Sequence, residues 1–322
     1  MVLAAGKMYR PTDVAVDITT NSVYVVEQFN HRISKWDYTD TNFDFTLDTT
    51  WGDKNPTDGT LGGPGPVIST TDSNFYLPTG IVFDVTATPD LLYVTDTFHN
   101  RIRVIDPAGT GSFTTSIGTG GFGNTDFYRP AGIAIDATDT VVVIADELNH
   151  RAVRYTTGGG TLAFSAVLPD PSTGADLSFV RPHGVVYDVV DNSFNIGDSL
   201  RGVISSYNVA GAFVNQFGTP GTTGTDLFFP GSGHGRLGGT ANTTFADTRN
   251  NTLKTVASNT ITNTTGTTEG TGDGQLYYPE SVNSFEDAAN YVLAANTLNN
   301  RVEAFDNNGG FTLTFKQNFG SP

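Results

Sequence analysis

The 322-residue chain carries 33 acidic against 17 basic residues, for a formal net charge of -16, and has no cysteine. Disulfides and thiolate chemistry are thereby excluded, and so negative a surface, with its arginines spaced singly, speaks against nucleic acid and membrane insertion. Charged residues make up only 16% of a chain rich in Gly, Thr, Asn and Asp, a mixture that favours turns and short strands over helices.

Taken from the start, "MVLAAGKMYRP" has too short an apolar run for a signal peptide and no basic n-region, so export by that route is not expected. The uncharged composition would suit an exposed component, extracellular or part of a virion or surface filament. "MYRPTDVAVD" then sets an aromatic before Pro11 and an alternating apolar strand that ends on Asp17. A polar turn follows, "EQFNHRISKW" from Glu27, with Asn30, His31 and Arg32. The stretch "WGDKNPTDGTLGGPGPVISTTDSN" from Trp51 is dense in Gly and Pro and reads as an inserted surface loop, not another strand.

The same unit returns as "FYLPTGIVFD" around Pro78 and "DTFHNRIRVID" from Asp96, with Asn100 and Arg101. It returns again as "FYRPAGIAID" around Pro130 and "DELNHRAVRY" from Asp146, with Asn149, His150 and Arg151. This third copy shows the strands most clearly: "GIAIDA", "VVVIAD", "RAVRYTT" and "TLAFSAV", divided by polar and Gly-rich turns. "GTGGFG" from Gly118 has the composition of a phosphate-binding loop, but it leads into the Pro130 anchor and not into a helix, so it reads as a blade-to-blade loop. The fourth copy, "FVRPHGVVYD", has Asp198 followed by Val203 where Arg is expected, with Arg201 two places earlier. The fifth, "LFFPGSGHGR", has Asp247 followed by Thr252; the sixth, "LYYPESVNSF", has Asn296 followed by Arg301.

The anchor prolines, Pro11, Pro78, Pro130, Pro182, Pro230 and Pro279, are 67, 52, 52, 48 and 49 residues apart. Units of about fifty residues, none able to bury both faces of its sheet alone, predict radial stacking. The expectation is an all-β, six-bladed β-propeller of four-stranded antiparallel blades, forming one domain over residues 1–322.

The pairing of "P-x-G-[apolar]-x-[apolar]-D" with "D-x-x-N-x-R" resembles the NHL repeat, whose usual assembly is a six-bladed propeller. The likeness runs from about Tyr9 to Phe319 and is weakest in the fifth unit. It is specific for fold and not for function, because NHL-type propellers include amidating lyases, RNA-binding domains, receptor sensor domains and protein-binding scaffolds.

In such a fold the anchors and polar turns crowd one face of the disc. The turns then have two readings: a clamp in which the acid caps the turn and the Arg binds carbonyls or carboxylates, or a ligand-reading ring of Asn30, His31, Asn100, Arg101, Asn149, His150 and Arg151. Repetition favours the clamp, since a ligand seldom needs one residue many times. The residues after each proline, Thr12, Thr79, Ala131, His183, Gly231 and Glu280, differ between copies and should ring the mouth of the central channel. "RPHG" at 181–184 looks like the element that supplies zinc ligands in amidating lyases of this family, which need three such histidines. Here a zinc set would be His183, His234 and Glu280, while Asp13 and Glu280 are the first candidates for calcium in the channel; a neutral hydrogen-bonded histidine is the preferred reading of His183. No cofactor is expected. The sequence contains no G-x-S-x-G, H-E-x-x-H or Walker loop. The preferred function is a non-catalytic binding or scaffold module engaging a protein or glycan through this face. The alternative is a metal-dependent lyase or hydrolase, amidating-lyase-like or lactonase-like, working at the channel mouth.

Overall fold

A computed structural model describes residues 6–39, 44–49, 51, 60–62, 75–158, 161–169, 179–222, 225–231, 235–236, 242–257, 260–263, 268–284, 291–307 and 313–320. Strands account for nearly all of its regular structure. The N-terminal sheet holds β1 (Pro11–Asp17), β2 (Ser22–Glu27), β3 (Arg32–Tyr38), β4 (Phe45–Leu47) and β5 (Thr60–Gly62). Then come β6 (Ile81–Asp84), β7 (Leu91–Asp96), β8 (Arg101–Asp106) and β9 (Ser112–Ile117), followed by β10 (Pro130–Ile135), β11 (Val141–Asp146), β12 (Arg151–Gly158) and β13 (Thr161–Val167). The next sheets are β14 (Pro182–Asp188), β15 (Ser193–Asp198), β16 (Val203–Asn208) and β17 (Phe213–Phe217), then β18 (Gly235–Arg236), β19 (Asn242–Asp247), β20 (Thr252–Ala257) and β21 (Thr260–Asn263). After a short parallel pair, β22 (Thr268–Glu269) and β23 (Gln275–Leu276), the last sheet is β24 (Pro279–Ser284), β25 (Tyr291–Asn296), β26 (Arg301–Asn307) and β27 (Leu313–Phe319).

Two expectations need correction. Five four-stranded antiparallel blades are present, not six, because the N-terminal sheet has five strands. The insertion also contributes a strand instead of only a loop: β5 pairs with Arg32–Ser34 of β3, while β4 pairs with Trp36–Tyr38 of the same strand. The outermost place in that sheet is therefore shared by two short strands, each covering half of β3. Hydropathy misses this because three residues, Thr60, Leu61 and Gly62, are too few to show an alternating pattern.

Each sheet runs outward from the axis in sequence order, innermost strand first. The second strands, such as "VVVIAD" in β11 and "LLYVTD" in β7, are buried along their whole length, since apolar neighbours cover both faces. Fourth strands such as β9 alternate between exposed and half-buried residues. Apolar layers fill the gaps between neighbouring sheets. One joins β6–β8 to β10–β13 through Tyr93, Phe127 and Tyr155. Another joins the N-terminal sheet to the last one through Met8, Trp36, Leu293 and Phe319. That second layer closes the ring, with no strand shared between the two sheets among the described residues. At the seam Phe319 stacks on Phe45 at 4.1 Å, and Gly320 turns with φ +77° so close to Met8 that no Cβ would fit. Residues 2–5, a candidate aid to closure, lie outside the described residues. No helix among the described residues is long and apolar enough to cross a membrane.

Candidate functional site

The polar turns lie at the end of the disc where each inner strand begins. In the third copy, Asp146 Oδ1 accepts the Tyr128 amide at 2.7 Å, two residues before the anchor proline. Its Oδ2 accepts Asn149 Nδ2 at 2.7 Å and Arg151 Nε at 2.9 Å. Asn149 and Arg151 then reach the lead-in loop, donating to the carbonyls of Gly121, Gly123 and Asp126 at 2.7–2.9 Å. Arg101 with Asp96 at 2.8 Å and Arg32 with Glu27 at 3.0 Å repeat the pair. The acids are fully buried, where an ion pair holds best if its remaining valences are met; donors reach both oxygens of Asp96 and Asp146, but only one oxygen of Glu27 among the described residues.

A single turn of 3-10 helix after Glu27, Asp96, Asp146, Asp247 and Asn296 ends on a residue in the left-handed region: His31, Asn100, His150, Asn251 and Asn300, with φ between 54° and 57°. Asn tolerates that backbone, and its side chain turns it to use. Asn100 Oδ1 accepts the Arg129 amide of the next sheet at 2.8 Å, Asn251 that of Tyr278 at 2.7 Å, and Asn300 that of Arg10 across the seam at 2.9 Å. His31 does the same through Nδ1, accepting the Leu77 amide at 3.1 Å. This assigns its proton to Nε2, and burial lowers its pKa, which favours the neutral ring. His150 meets the Val180 carbonyl at 2.7 Å through Nδ1, which requires the opposite tautomer.

The degenerate copies are repaired from elsewhere. Asp247 lacks an Arg five places on, and Lys254 pairs with it at 3.1 Å and also bonds the Asp226 carbonyl. Asn296 cannot hold a cation by charge, and Arg301 pairs with Glu303 instead. At Asp198 the left-handed place falls to Gly202, whose missing Cβ leaves room for Pro220.

The mouth is where the copies differ. Thr12 and Glu280 are buried, and His183 and Thr79 half-buried. Thr79 is bonded to Thr97 at 2.6 Å and to the Ala131 carbonyl at 3.2 Å. His183 Nδ1 lies 3.3 Å from Glu147, which also accepts Arg181 Nε at 2.5 Å. Although burial opposes it, the company of His183 and Arg181 holds the Glu147 carboxyl down at about 2. Glu280 is raised by burial and meets Arg10 at 3.4 Å. Sequence reasoning missed Glu147, Arg10 and Arg181. The signal for Glu147 was present: it follows the turn acid, where the other copies have Gln28, Thr97, Ser199, Thr248 and Thr297.

Among the described residues no three His, Asp or Glu side chains form a group able to hold a metal, and the expected zinc set of His183, His234 and Glu280 is only partly among them. His183 faces Glu147, whose other oxygen is taken by Arg181, and Glu280 faces Arg10. His234 lies outside the described residues.

No family model matches the chain. NHL repeat-containing protein 2 of Gallus gallus is 34% identical over 82 residues, or 23% of this chain and 11% of that protein; the Homo sapiens counterpart is 32% identical over the same length. The chain thus spans about a tenth of the relatives it matches. Among solved structures, the periplasmic gluconolactonase PpgL of Pseudomonas aeruginosa superposes with a TM-score of 0.58 at 11% identity, covering 97% of this chain and 85% of that one. A nidogen/laminin complex gives 0.55 at 17% identity over 89% of both chains. A catalytically inactive virginiamycin B lyase of Staphylococcus aureus with quinupristin gives 0.55 at 13%, covering 98% and 87%. The chain is a β-propeller. Its NHL-like repeats supply the turns that lock the sheets together, and identities this low carry the fold alone.

Proposed function

We propose that this propeller is a non-catalytic binding module whose partner, a protein, docks on the face that carries the polar turns. One observation carries the reading: that face bears a belt of exposed apolar side chains. The residue two before the anchor contributes in five of the six copies, as Tyr9, Tyr128, Val180, Phe228 and Tyr277, and the polar turns contribute Phe29, Phe98, Leu200 and Leu298. Phe122, 77% exposed, stands beside Tyr128 with ring centroids 5.9 Å apart. Arginines brace the rings: Arg10 lies 4.6 Å over Phe29, Arg129 4.5 Å over Phe98 and Arg249 5.2 Å over Phe228. Exposed Tyr, Phe and Arg held rigid in contiguous array are what protein interfaces concentrate.

Asn100, Arg101, His150 and Arg151, with Thr12, Thr79, His183 and Glu280 at the mouth, would act in this reading mainly by holding that belt, since their polar atoms are largely spent internally. The lyase or hydrolase alternative gains nothing from the mouth, whose carboxylates are paired with arginine. Cross-linking of bound partner, mapped by mass spectrometry, should place the links around Tyr128 and Phe98. Alanine at both positions should cut partner capture at least tenfold, as hot-spot aromatics do. Links confined to other surfaces, retention on a glycan array in place of protein, or metal-dependent turnover lost in His183→Ala would overturn it.

A further inference from the structure

The inner strands β1, β6, β10 and β14 enclose an axial cavity of about 240 Å³, walled by Val14, Val16, Ile81, Ile133, Ile135 and Val185. Among the described residues lining it, the only charged groups are three carboxyls, Asp13, Asp136 and Asp139. Asp136 is spent on its own turn, accepting from Thr138, Thr140 and the Val141 amide. Asp13 is different. It is 6% exposed, accepts the Val14 and Ile81 amides at 2.9 Å each, and pairs with no cation among the described residues. At the opposite end from the polar turns the lining ends in Ile18 and Val85, which are 47% and 51% exposed and leave a way in.

An apolar tube that holds negative charge and no positive charge is complementary to one kind of ligand. We infer that the channel binds a small organic cation, an aliphatic ammonium whose hydrocarbon part fills the tube and whose charged end meets Asp13. A cavity of ~150 Å³ accepts benzene, so this one has room for about ten heavy atoms. Burial pushes Asp13 up to about 7 against the pull of its two amides, which marks a carboxyl lacking a counter-charge. An ammonium would supply one, with the charge-assisted hydrogen bond that a desolvated carboxylate strengthens most. The site opens on the face opposite the aromatic belt, so it neither rests on the docking proposal nor falls with it.

Calorimetric titration of the whole chain with hexylammonium and with hexanol tests this directly. Hexylammonium should bind about tenfold to a hundredfold more tightly than hexanol, the worth of one hydrogen bond to a charged group. Asp13→Asn should bring the two probes level, and Val85→Trp at the open rim should block both. Asp139→Asn should leave the preference in place, which separates Asp13 from the general negative field. Equal binding of the two probes to the unaltered chain, a preference surviving Asp13→Asn, full binding in Val85→Trp, or no heat with millimolar hexylammonium would each overturn the inference. If Asp13→Asn fails to fold, the comparison of probes and the rim variant still decide.

Discussion

The turns at Asp146 and Asp247 meet the same demand with different residues. At Asp146 the cation comes from Arg151 in the fifth place of the motif, and its planar head serves the carboxylate and two loop carbonyls together. At Asp247 that place holds Thr252, and the cation comes from Lys254, a buried ammonium that meets the acid at 3.1 Å and one carbonyl. What the propeller requires is a cation between the second and third strands, not a particular residue. A fork can bridge acid and loop at several points, whereas a point charge holds fewer.

Variants should widen or close that gap. Arg151→Ala leaves Asp146 buried without its cation and should cost about 3–5 kcal/mol in denaturant unfolding; a loss under 1 kcal/mol would show that the pair is dispensable. Lys254→Ala strands Asp247 in the same way but releases fewer bonds, so about 2–4 kcal/mol is expected. A larger loss than for Arg151→Ala would reverse the comparison.

The next effect concerns pH. Asp13 is raised to about 7 and Asp139 to about 6, above their ordinary 3.8, so between these values the folded chain binds more protons than the unfolded one. Stability should therefore rise as pH falls from about 7 towards 4. Glu147, held at about 2, acts in the opposite sense, and its contribution is lost as pH falls from 4.5 towards 2. Thermal melts across this range check both limbs, and Asp13→Asn should flatten the upper one. The smallest change is at the seam: Asn300→Ala removes the bond to the Arg10 amide and leaves Ala in a left-handed turn, for about 1 kcal/mol. Asn300→Gly should cost less than Asn300→Ala, and the reverse order would mean that the backbone angle is not at issue.

Much of this architecture was legible in the sequence because a repeated unit writes its anchors many times, so that even the copy with Thr252 is located by its neighbours. The clamp reading of the turns drew on the same repetition, and the internal bonds of Asn100, Arg101, His150 and Arg151 match it in kind. The split outer place of the N-terminal sheet was not legible, since the three residues of β5 that pair with Arg32–Ser34 are too few to carry a pattern. Nor was the mouth. His183 was visible as the odd residue after a proline, but its partner Glu147 comes from the preceding sheet, 36 positions away. Spacing within one unit cannot show which side chains of two units will face each other. That Asp13 pairs with no cation among the described residues likewise depends on how separate sheets meet, its carboxylate accepting the Ile81 amide 68 positions away.

The bond from Asn300 to the Arg10 amide has a consequence for chain order. The last seam is fastened by the same kind of bond that joins the Asn100 and Asn251 turns to their neighbours, and among the described residues no backbone ladder crosses it. The circle therefore has no privileged starting point. A chain relinked across Met8 and Gly320 and reopened in the loop before Pro130 would keep every ladder it has now, so the protein is a candidate for circular permutation.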